Sequence, residues 1–489
     1  MAKALTTALG LAIATALLAG CTVGPTYVRP EVPLPAEFDQ ASSHQTAGTP
    51  GTAVWQAFGD PALDALIART LDANTSIAQA RARFEETRAL SGLRVFSLFP
   101  TVPAGAGADR SKPSPQDPFL PPDQPTTDTY LAGFDASWEI DLFGFLRNPS
   151  RAIVKRTEAD AAGLRDMQLV MVAETAQAYF ALRGAQRREA LARESVAAAD
   201  EVLRIIDLLT DAGRLNAVDA ARAKAQRDSL ASALPQREAE RVSQEQRLAV
   251  LTAQPVADLR AQVGTSGAFP ALPDLVATGT PEQWLKRRPD IVAAERQLAA
   301  SYNDIGTEMA EFFPRLVLNG GFGWTGQRAG SLGQGGAERW QWGPSLSWRF
   351  LDVGRVRQNV RAAEARADGA EARYRETVLR AVEETENALA GYRASHQSAT
   401  ELGRAAAAAQ EASRLSRLRF EAGADDALAL LQTEQTRIEL EDAAVQAQAS
   451  RATALAALYK AVAGDFAEAD GAGGAAPGTP DAPDAEASP

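Results

Sequence analysis

Cys21 is the residue best placed for covalent chemistry, because it is the single cysteine among 489 residues and it ends a characteristic motif. Lys3 precedes an apolar run from Ala8 to Ala19, which is too short to span a bilayer permanently but has the length of a signal-peptide core. The run ends in Leu18-Ala19-Gly20-Cys21, which matches the lipobox that signal peptidase II cleaves. The sequence therefore predicts a signal peptide over residues 1–20 and a covalent lipid on Cys21.

A lipid on Cys21 would fix the mature N-terminus to a membrane leaflet, and stable anchoring needs more than one acyl chain. Thr22 follows the cysteine, whereas an Asp at this position would resemble an inner-membrane retention signal. We therefore expect the lipid to lie in the outer membrane. The alternative interpretation is an unmodified, buried cysteine.

The other candidate groups lack the spacing of a catalytic or metal site. One cysteine can form neither a disulfide within the chain nor a Cys-based metal cluster. His44 and His396 have no neighbours at ligand spacing, so we expect both to be solvated. The net charge of -12 argues against nucleic acid as a partner, because phosphate binding needs concentrated Lys and Arg. We expect no metal, no cofactor other than the lipid, and no enzymatic activity.

Two local patterns imitate sites found in enzymes. Residues 321–326 spell GxGxxG, which in a dinucleotide site opens a helix after a buried strand. A Gly-rich run follows them here, so we expect an exposed loop. The carboxylates of Glu383, Glu384 and Glu386 lie in a polar helical stretch, and we expect them on a solvated helix face.

Four windows alternate apolar and polar residues with the period of two that a strand requires when one face is apolar. They lie near residues 101–109, 129–143, 315–324 and 340–350. In the clearest window the apolar positions are Tyr130, Ala132, Phe134, Ala136, Trp138, Ile140 and Leu142. Such strands place lipid on one face and water on the other, so they predict a membrane sheet; the alternative is a soluble sandwich.

The rest of the chain has helical patterns and is duplicated. Asp211-Ala212-Gly213 matches Glu421-Ala422-Gly423, and Phe99-Pro100 matches Phe313-Pro314 in a second register. Each copy contains one long helix, Arg147 to Asp211 or Arg357 to Glu421, of about 100 Å at 1.5 Å per residue. Gly213 and Gly423 follow these helices as αL caps.

Shorter helices accompany the two long ones. They are predicted near residues 61–99, 216–253, 281–312 and 426–463. From their lengths we expect 216–253 to stack end to end with 281–312, and 426–463 with 61–99, so that each stack matches a long helix.

These elements divide the chain into two repeats and three other segments. Residues 21–60 form a lipidated segment and wrap, 61–253 the first repeat, 254–280 a linker at mid-height, 281–463 the second repeat, and 464–489 a disordered tail. The four strands cannot close a barrel, and hydrocarbon does not tolerate open strand edges, so several copies must share one barrel. Composition and periodicity leave open whether two, three or four copies do so.

Several motifs resemble the outer membrane factor family. They are the lipobox, Trp55-Gln56-Ala57-Phe58-Gly59-Asp60-Pro61 with Leu63-Asp64-Ala65-Leu66-Ile67, Arg287-Arg288-Pro289-Asp290-Ile291 with Ala294-Glu295, and Phe350-Leu351-Asp352-Val353-Gly354-Arg355. The resemblance is to the lipidated OprM/NodT-like branch, with TolC as a more distant relative, and it extends to about Gly464.

This resemblance implies a mainly α fold with a membrane β-barrel. In a TolC-like internal duplication, each protomer would contribute four strands and long coiled-coil helices to a trimer with a 12-stranded β-barrel and a 12-helix periplasmic α-barrel. It also implies a periplasmic adaptor and an inner-membrane pump of the resistance-nodulation-division (RND) type as partners. The chain would be a passive outer-membrane efflux conduit.

The resemblance also places a gate at the periplasmic helix turns, Gly213 to Asp219 and Gly423 to Gln432. Leu428 matches the apolar constriction of the family. Gln432 stands where many relatives have an acidic ring, which weakens the expectation of a cation-binding constriction here.

Asp219 matches an aspartate that in some relatives pairs with an arginine of the other turn, but Asp425 occupies that arginine position. Arg214 or Arg419 could supply the cation instead.

Two other classes of function remain open at this point. One keeps the architecture but changes the cargo, as the outlet of protein secretion or metal efflux; the low number of Met residues, 4 in all, does not favour copper export. The other is a coiled-coil structural or adaptor lipoprotein without a pore. The alternating strands argue against it.

Overall fold

A computed structural model describes residues 22–40, 45–46, 55, 58–119, 121, 124–264, 269, 272, 276–277, 281 and 287–462. Cys21, His44, the signal peptide and the tail 464–489 lie outside the described residues, so the predictions made for them stay predictions. Parts of the segments 21–60 and 254–280 also lie outside.

Helices make up most of the chain. In order they are α1 (Pro61–Ala73), α2 (Thr75–Phe96), α3 (Arg147–Asp211), α4 (Ala217–Leu251), α5 (Val256–Val263), α6 (Pro289–Ala310), α7 (Val353–Glu421) and α8 (Ala427–Ala461). None of these described helices combines the length and the apolar character needed to cross a membrane.

The strands that the structure describes form two sheets. They are β1 (Gln45–Thr46), β2 (Ala104–Ser111), β3 (Thr127–Ile140), β4 (Val276–Ala277), β5 (Arg315–Gly326) and β6 (Glu338–Ser347). β1 pairs in parallel with β4, and the larger antiparallel sheet has the order β2-β3-β5-β6.

All four predicted strand windows form strands, with shifted ends. β2 begins later than predicted, and Thr101 makes only an isolated bridge to Ser137. β3 and β6 end before the predicted residues 143 and 350. After β3 the chain turns sharply, because the Asp141 carboxylate accepts hydrogen bonds from the backbone N–H groups of Gly144 (2.7 Å) and Arg147 (2.8 Å).

The strand register confirms the predicted apolar face. Directly opposed residues of antiparallel strands lie on the same face of a sheet. Phe134 of β3 opposes Phe322 of β5, and Phe322 opposes Trp340 of β6. The polar positions share the other face, as Ser137 opposite Asn319 illustrates. Many large side chains of the apolar face are exposed in the single chain, including Phe134, Phe322 and Trp340.

The GxGxxG residues lie within β5, so the prediction that they form a loop is wrong. The strands β3 and β5 approach closely where Gly133 opposes Gly323. A Cβ atom on Gly323 would lie 2.4 Å from the carbonyl oxygen of Ala132 and 2.7 Å from Gly133 Cα. These glycines therefore serve strand packing, and a three-residue 3-10 helix (Ala329–Ser331) rather than an α-helix follows them before β6.

The helix predicted over residues 61–99 is interrupted at Asn74. Its Oδ1 accepts hydrogen bonds from the N–H groups of Ser76 (2.9 Å) and Ile77 (3.2 Å), which caps the N-terminus of α2. Its Nδ2 donates to the carbonyl oxygen of Leu251 at the end of α4 (2.8 Å). Asn74 is 4% exposed, so this side chain joins two helix ends in the interior.

The short helices are paired differently from the prediction. The bond from Asn74 to Leu251 places the end of α4 at the start of α2. The Arg288 guanidinium donates to the carbonyl oxygen of Ala461 (3.0 Å), which places the end of α8 at the start of α6. Helix length could not distinguish these pairs, because α4 and α8 both have 35 residues and α2 and α6 both have 22.

The α8–α6 junction is built on a cluster of partly buried charges around Arg288. Arg288, which is 7% exposed, also bonds to Asp290 and Glu384 (both 2.7 Å), and Lys460 bonds to Glu384 (2.7 Å). Burial opposes ionisation of Glu384, but the hydrogen bonds from Lys460 and Arg288 hold its pKa below the ordinary value. Burial, followed by the charge of Asp290, raises the pKa of nearby Asp166 to about 6.

The expectation that the acidic run 383–386 is solvated is therefore wrong for two of its members. Glu384 belongs to the junction cluster, and Glu386 accepts the backbone N–H groups of Asp39 (2.9 Å) and Gln40 (3.0 Å). Distant segments supply these donors, so local sequence could not reveal them. His396 is partly buried and contacts the Tyr392 ring, which corrects its predicted solvation.

Residues 22–40, which we call the N-terminal strap, cross from the sheet to mid-height along α6 and α7. Near the sheet, Val23 N donates to Phe143 O (3.1 Å), and Asn148 Nδ2 donates to Val23 O (3.0 Å). Further along, the Tyr27 hydroxyl donates to Glu295 of α6 (2.8 Å), and Arg29 Nε donates to the Tyr374 hydroxyl of α7 (3.1 Å). The strap thereby connects the two helices.

The largest apolar core lies at mid-height, where the strap, α1 and the ends of several helices meet. Its centre is aromatic: the ring of Phe58 lies 5.0 Å from that of Phe180 and 5.7 Å from that of Tyr459. Beside it, the Tyr179 hydroxyl donates to the Asp60 carboxylate and accepts from Arg183 Nε (2.9 Å).

We predict that Asn74→Ala destabilises the protein more than Asn216→Ala. Both residues cap a helix, and each substitution removes a cap contribution of about 1 kcal/mol. Only Asn74→Ala also leaves the buried Leu251 carbonyl without its donor, at a cost of about 1–3 kcal/mol. Thermal unfolding of the purified protein followed by circular dichroism measures both changes. Equal losses would show that the bond to Leu251 contributes nothing.

Candidate gate at the helix turns

The turn after α3 is a helix cap of the Schellman type, built on a glycine. Gly213 has φ of +71°, a left-handed conformation that favours glycine. Its N–H bonds to Thr210 O (2.9 Å), and the N–H of Arg214 bonds to Leu209 O (2.8 Å). These bonds satisfy the last carbonyls of α3, and Asn216 then caps α4.

The turn after α7 repeats this geometry. Gly423 also has φ of +71°, its N–H bonds to Phe420 O (2.9 Å), and the N–H of Ala424 bonds to Arg419 O (2.8 Å). Asp426 caps α8 by accepting the N–H of Ala429 (2.8 Å). The predicted pair of turn glycines thus occupies equivalent positions in the two repeats.

A small apolar cluster joins the two turns. Its buried members are Val202, Ile206, Ala223, Phe420, Ala427 and Leu430. Because they come from α3, α4, α7 and α8, they hold both hairpins together at the tip. This cluster is much smaller than the core at mid-height.

Leu428 and Gln432 lie on one exposed face of α8. They are four residues apart, so they are neighbours along the helix surface. Leu428 is 37% exposed although the adjacent Ala427 is 1% exposed, so Leu428 points away from the tip cluster. Gln432 is also exposed. The structure therefore brings these two predicted gate residues together on a free surface of the chain.

Two further residues at the tip were missed in the sequence. At the offset of 210 residues that separates Gly213 from Gly423, Val218 corresponds to Leu428 and Arg222 corresponds to Gln432. Val218 is 57% exposed, as expected for a counterpart of Leu428. The duplication was the signal that would have identified both residues.

The two predicted aspartates do not form an ion pair between the turns. The Asp425 carboxylate bonds to Arg419 through two contacts of 2.7 and 2.8 Å, and these hydrogen bonds lower the pKa of Asp425. The Asp219 carboxylate lies 3.9 Å from the guanidinium of Arg222, a residue of the same helix. Arg419 thus pairs within its own turn, and exposed Arg214 forms no ion pair with a residue that the structure describes.

A buried carboxylate connects α7 and α8 just above the tip. Glu434, which is 8% exposed, accepts the hydroxyl of Ser413 (2.7 Å) and the guanidinium of Arg417 (3.0 Å) from α7. Arg437 of α8 completes the group (3.0 Å). Burial by itself would raise the pKa of Glu434, but these hydrogen bonds and the charge of Arg437 hold it below the ordinary value. These contacts fix α7 to α8 through residues of their own hairpin.

Known proteins are similar to this chain both in sequence and in fold. A family profile described as outer membrane efflux protein matches residues 66–254 and 280–464. Outer membrane protein OprJ of Pseudomonas aeruginosa is 31% identical over 92% of this chain and 94% of its own length. Nodulation protein T of Rhizobium leguminosarum bv. trifolii is 28% identical over 86% of this chain and 89% of its own.

Solved structures agree with this assignment. The outer-membrane channel OprN is 35% identical, with a TM-score of 0.86, over 91% of this chain and all of its own (100%). The open state of the MtrE outer membrane channel of Neisseria gonorrhoeae is 29% identical, with a TM-score of 0.80, over 91% of this chain and 99% of its own. This chain therefore belongs to the outer membrane efflux protein family, has the TolC-like fold, and is located in the outer membrane.

Proposed function

We propose that this protein is the outer-membrane outlet of a tripartite efflux system and conducts small molecules passively to the cell exterior. The observation that carries the proposal is the combination of a four-stranded sheet, apolar on one face, with helices about 100 Å long that end in a common tip. The chain would do no bond chemistry.

A homotrimer, the assembly that the family resemblance implies, would satisfy the open edges of the sheet. The sheet ends in β2 on one side and β6 on the other, and neither outer edge is paired with another strand that the structure describes. Unpaired backbone N–H and C=O groups are costly in hydrocarbon. In a ring of three copies, β2 of each copy would pair with β6 of the next and close twelve strands. The apolar face with Phe134, Phe322 and Trp340 would contact lipid.

The lipid on Cys21 fits the same arrangement. Thr22 accepts a hydrogen bond from Arg151 (3.2 Å), and Val23 is bound to Phe143 at the base of the sheet. Gly24 packs so closely on Gly306 that a Cβ atom on Gly24 would lie 2.7 Å from Gly306 Cα. The strap therefore starts at the boundary between sheet and helices, where acyl chains on the preceding residue would enter the membrane.

The gate would form where the tips of three copies meet. Leu428 from each copy would approach the axis and close the opening by excluding water, as hydrophobic constrictions do. Asp425, Asp219 and Gln432 would adjust the polar surroundings. Because Gln432 is uncharged and Arg222 occupies the equivalent position on α4, the opening would lack the long-range field of a carboxylate ring.

The proposed partners are a periplasmic adaptor and an inner-membrane RND-type pump. Similar proteins have names such as toluene efflux pump outer membrane protein TtgF of Pseudomonas putida, which is 30% identical over 78% of this chain. Near the tip, Leu208 and Leu418 are equivalent in the two repeats and are 58% and 50% exposed. These leucines would offer the adaptor apolar contacts. Energy for transport would come from the pump.

We predict that Leu428→Ser raises single-channel conductance in planar bilayers several-fold, because a hydroxyl no longer excludes water from the constriction. Cells that produce this variant should also become more permeable to vancomycin-sized solutes without pump partners. Val250→Ser is the matched control, since it changes an exposed aliphatic residue (65% exposed) at the end of α4 that lies far from the tip. Unchanged conductance in Leu428→Ser, with assembly intact, would reject the gate assignment.

We also predict that the protein extracted from membranes begins at an acylated Cys21. Mass spectrometry of the N-terminal peptide should show the acyl chains, and Cys21→Ser should abolish them and reduce the membrane-bound fraction. An unmodified N-terminus that starts at another residue would contradict the lipid anchor without affecting the gate.

A further inference from the structure

The polar face of the four-stranded sheet is divided by charge between the two repeats. Opposed residues of neighbouring strands, and alternate residues of one strand, lie on the same face. On the polar face, β2 and β3 of the first repeat carry three carboxylates and no Lys or Arg: Asp109, Asp135 and Glu139. On the same face, β5 and β6 of the second repeat carry two guanidinium groups and no Asp or Glu: Arg315 and Arg339. The polar face therefore has an acidic half and a basic half.

The duplication shows that these charges are not needed to build the sheet. β3 and β6 are equivalent at an offset of 210 residues, since Trp138 Nε1 and Trp348 Nε1 each donate to a carbonyl oxygen just after the helix that enters the strand pair (3.1 and 3.0 Å). At this offset the counterpart of Asp135 is a serine, and the counterpart of Arg339 is a threonine. The same strand framework thus forms with or without a charge at each position.

Asp135 and Arg339 lie on either side of a shallow trough whose floor is made by two glycines of β5. Gly321 opposes Asp135 of β3 and Gln341 of β6, and Gly323 opposes Arg339 of β6. A Cβ atom on Gly321 would lie 2.9 Å from Asp135 Oδ1 and 3.6 Å from Gln341 Cγ, so both side chains extend over this glycine. The acidic and basic groups therefore face each other across a strand that has no side chains at these two positions.

Both charged groups are available to a solute. Asp135 and Arg339 are exposed, and neither forms an ion pair with a residue in the part of the chain that the structure describes. Arg315 differs, because its guanidinium bonds to Glu311 (2.6 Å). The unpaired cation of the polar face that adjoins the trough is therefore Arg339.

The spacing of the two charges allows each to act separately. β3 and β6 are two strand spacings apart, roughly 10 Å, and Arg339 lies two residues further along its strand than the position level with Asp135, roughly 7 Å. The two backbone positions are thus roughly 12 Å apart. The Debye length in 0.1 M salt is about 10 Å, so each charge is largely screened from the other but acts fully on a group bound next to it.

Given the channel proposed above, in which the polar face lines the lumen, we propose that Asp135 and Arg339 bind zwitterionic solutes inside the β-barrel. The ammonium group of the solute lies at the Asp135 carboxylate. Its carboxylate lies at the Arg339 guanidinium, which can donate two parallel hydrogen bonds to it, and next to the Gln341 amide. The best ligands are solutes whose opposite charges are about 10 Å apart, such as short peptides. A solute with one charge gains only one of the two contacts.

Ion selectivity provides the first test. The permeability ratio of K⁺ to Cl⁻ is obtained from the reversal potential of purified trimers in planar bilayers under a KCl gradient near 0.1 M. Arg339→Gln should raise this ratio roughly twofold, and Asp135→Asn should lower it by a similar factor, because each removes one sign of charge from the lumen wall. In 1 M KCl, where the Debye length is about 3 Å, both shifts should disappear. The tip is unchanged in these variants, so the shifts report on the barrel.

The apolar face of the same sheet supplies matched controls. Arg110 of β2 opposes Asp128 of β3 on that face, and their side chains lie 3.4 Å apart. Arg110→Gln and Asp128→Asn make the same chemical changes as the two test variants, but on the face turned away from the lumen. Both control variants should keep the permeability ratio of the unmodified protein.

Triglycine provides the second test, because its extended length of about 10 Å separates an ammonium group from a carboxylate. Added at millimolar concentration, it should reduce the K⁺ current more than acetyl-triglycine or triglycine amide, which each carry one charge. Asp135→Asn and Arg339→Gln should both lose this difference. The exchange Asp135→Arg/Arg339→Asp should regain it, since a zwitterion can bind in the reverse direction. A merely structural role of the two residues would not produce this recovery.

The outcomes separate the binding site from the proposed channel. Conducting trimers in which Asp135→Asn and Arg339→Gln change neither the permeability ratio nor the effect of triglycine would overturn the site and leave the channel standing. Opposite shifts of the permeability ratio without any effect of triglycine would likewise reject the binding of zwitterions. The absence of current from both the unmodified and the Leu428→Ser trimers would overturn the channel and this site with it.

Discussion

The main physical constraint on this protein is that its long helices lie side by side in a single layer. Such a layer, a wall one helix thick, has no interior of its own. A helix in such a wall can bury two sides against its neighbours, but its remaining faces meet solvent or other segments. Alanine is accordingly the most frequent buried apolar residue on α3 and on α7. Stability must come from places where additional segments cover the wall.

The mid-height region is the place where this cover is provided. α1, α5 and the N-terminal strap pack over the long helices and create a core that includes Phe58, Phe180 and Tyr459. The ends of the shorter helices also meet here, which would leave backbone carbonyls unpaired in the interior. Asn74 and Arg288 each satisfy one such carbonyl, so in each repeat a side chain at the start of one helix completes the end of another.

The tip is held by less apolar packing than the mid-height region. Its apolar cluster is small, and the α7–α8 hairpin is fixed internally by Glu434 with Ser413 and Arg417. Further up, Arg188 of α3 and Arg237 of α4 bond to Asp442 of α8, so the small apolar cluster is the main contact between the two hairpins at the tip itself. This distribution places rigidity at mid-height and compliance at the end proposed to open.

The same constraint explains why equivalent residues of the two repeats differ in exposure. Leu379 of α7 is exposed but its counterpart Leu169 of α3 is buried, because α3 packs against more helices than α7 does.

The sequence by itself determined the local elements of this protein. Periods of two and of 3.6 residues depend on neighbouring residues alone, so they predicted the four strands and the long helix from Arg147 to Asp211. Gly213 and Gly423 were identifiable because a left-handed cap restricts residue type at one position. Leu428 and Gln432 came from resemblance, and their shared exposed face followed from helical spacing.

Only the tertiary structure decided which elements meet. The helix stacks were paired wrongly from length, because the shorter helices of the two repeats are equal in length. The role of Glu384 was hidden because its partners Arg288 and Lys460 lie 96 and 76 residues away in the chain. The Asp425 carboxylate pairs with Arg419 of its own turn, because the folded hairpin brings these two side chains within hydrogen-bonding distance. Local patterns specify secondary structure, whereas long-range hydrogen bonds and ion pairs exist only once the chain has brought distant segments together.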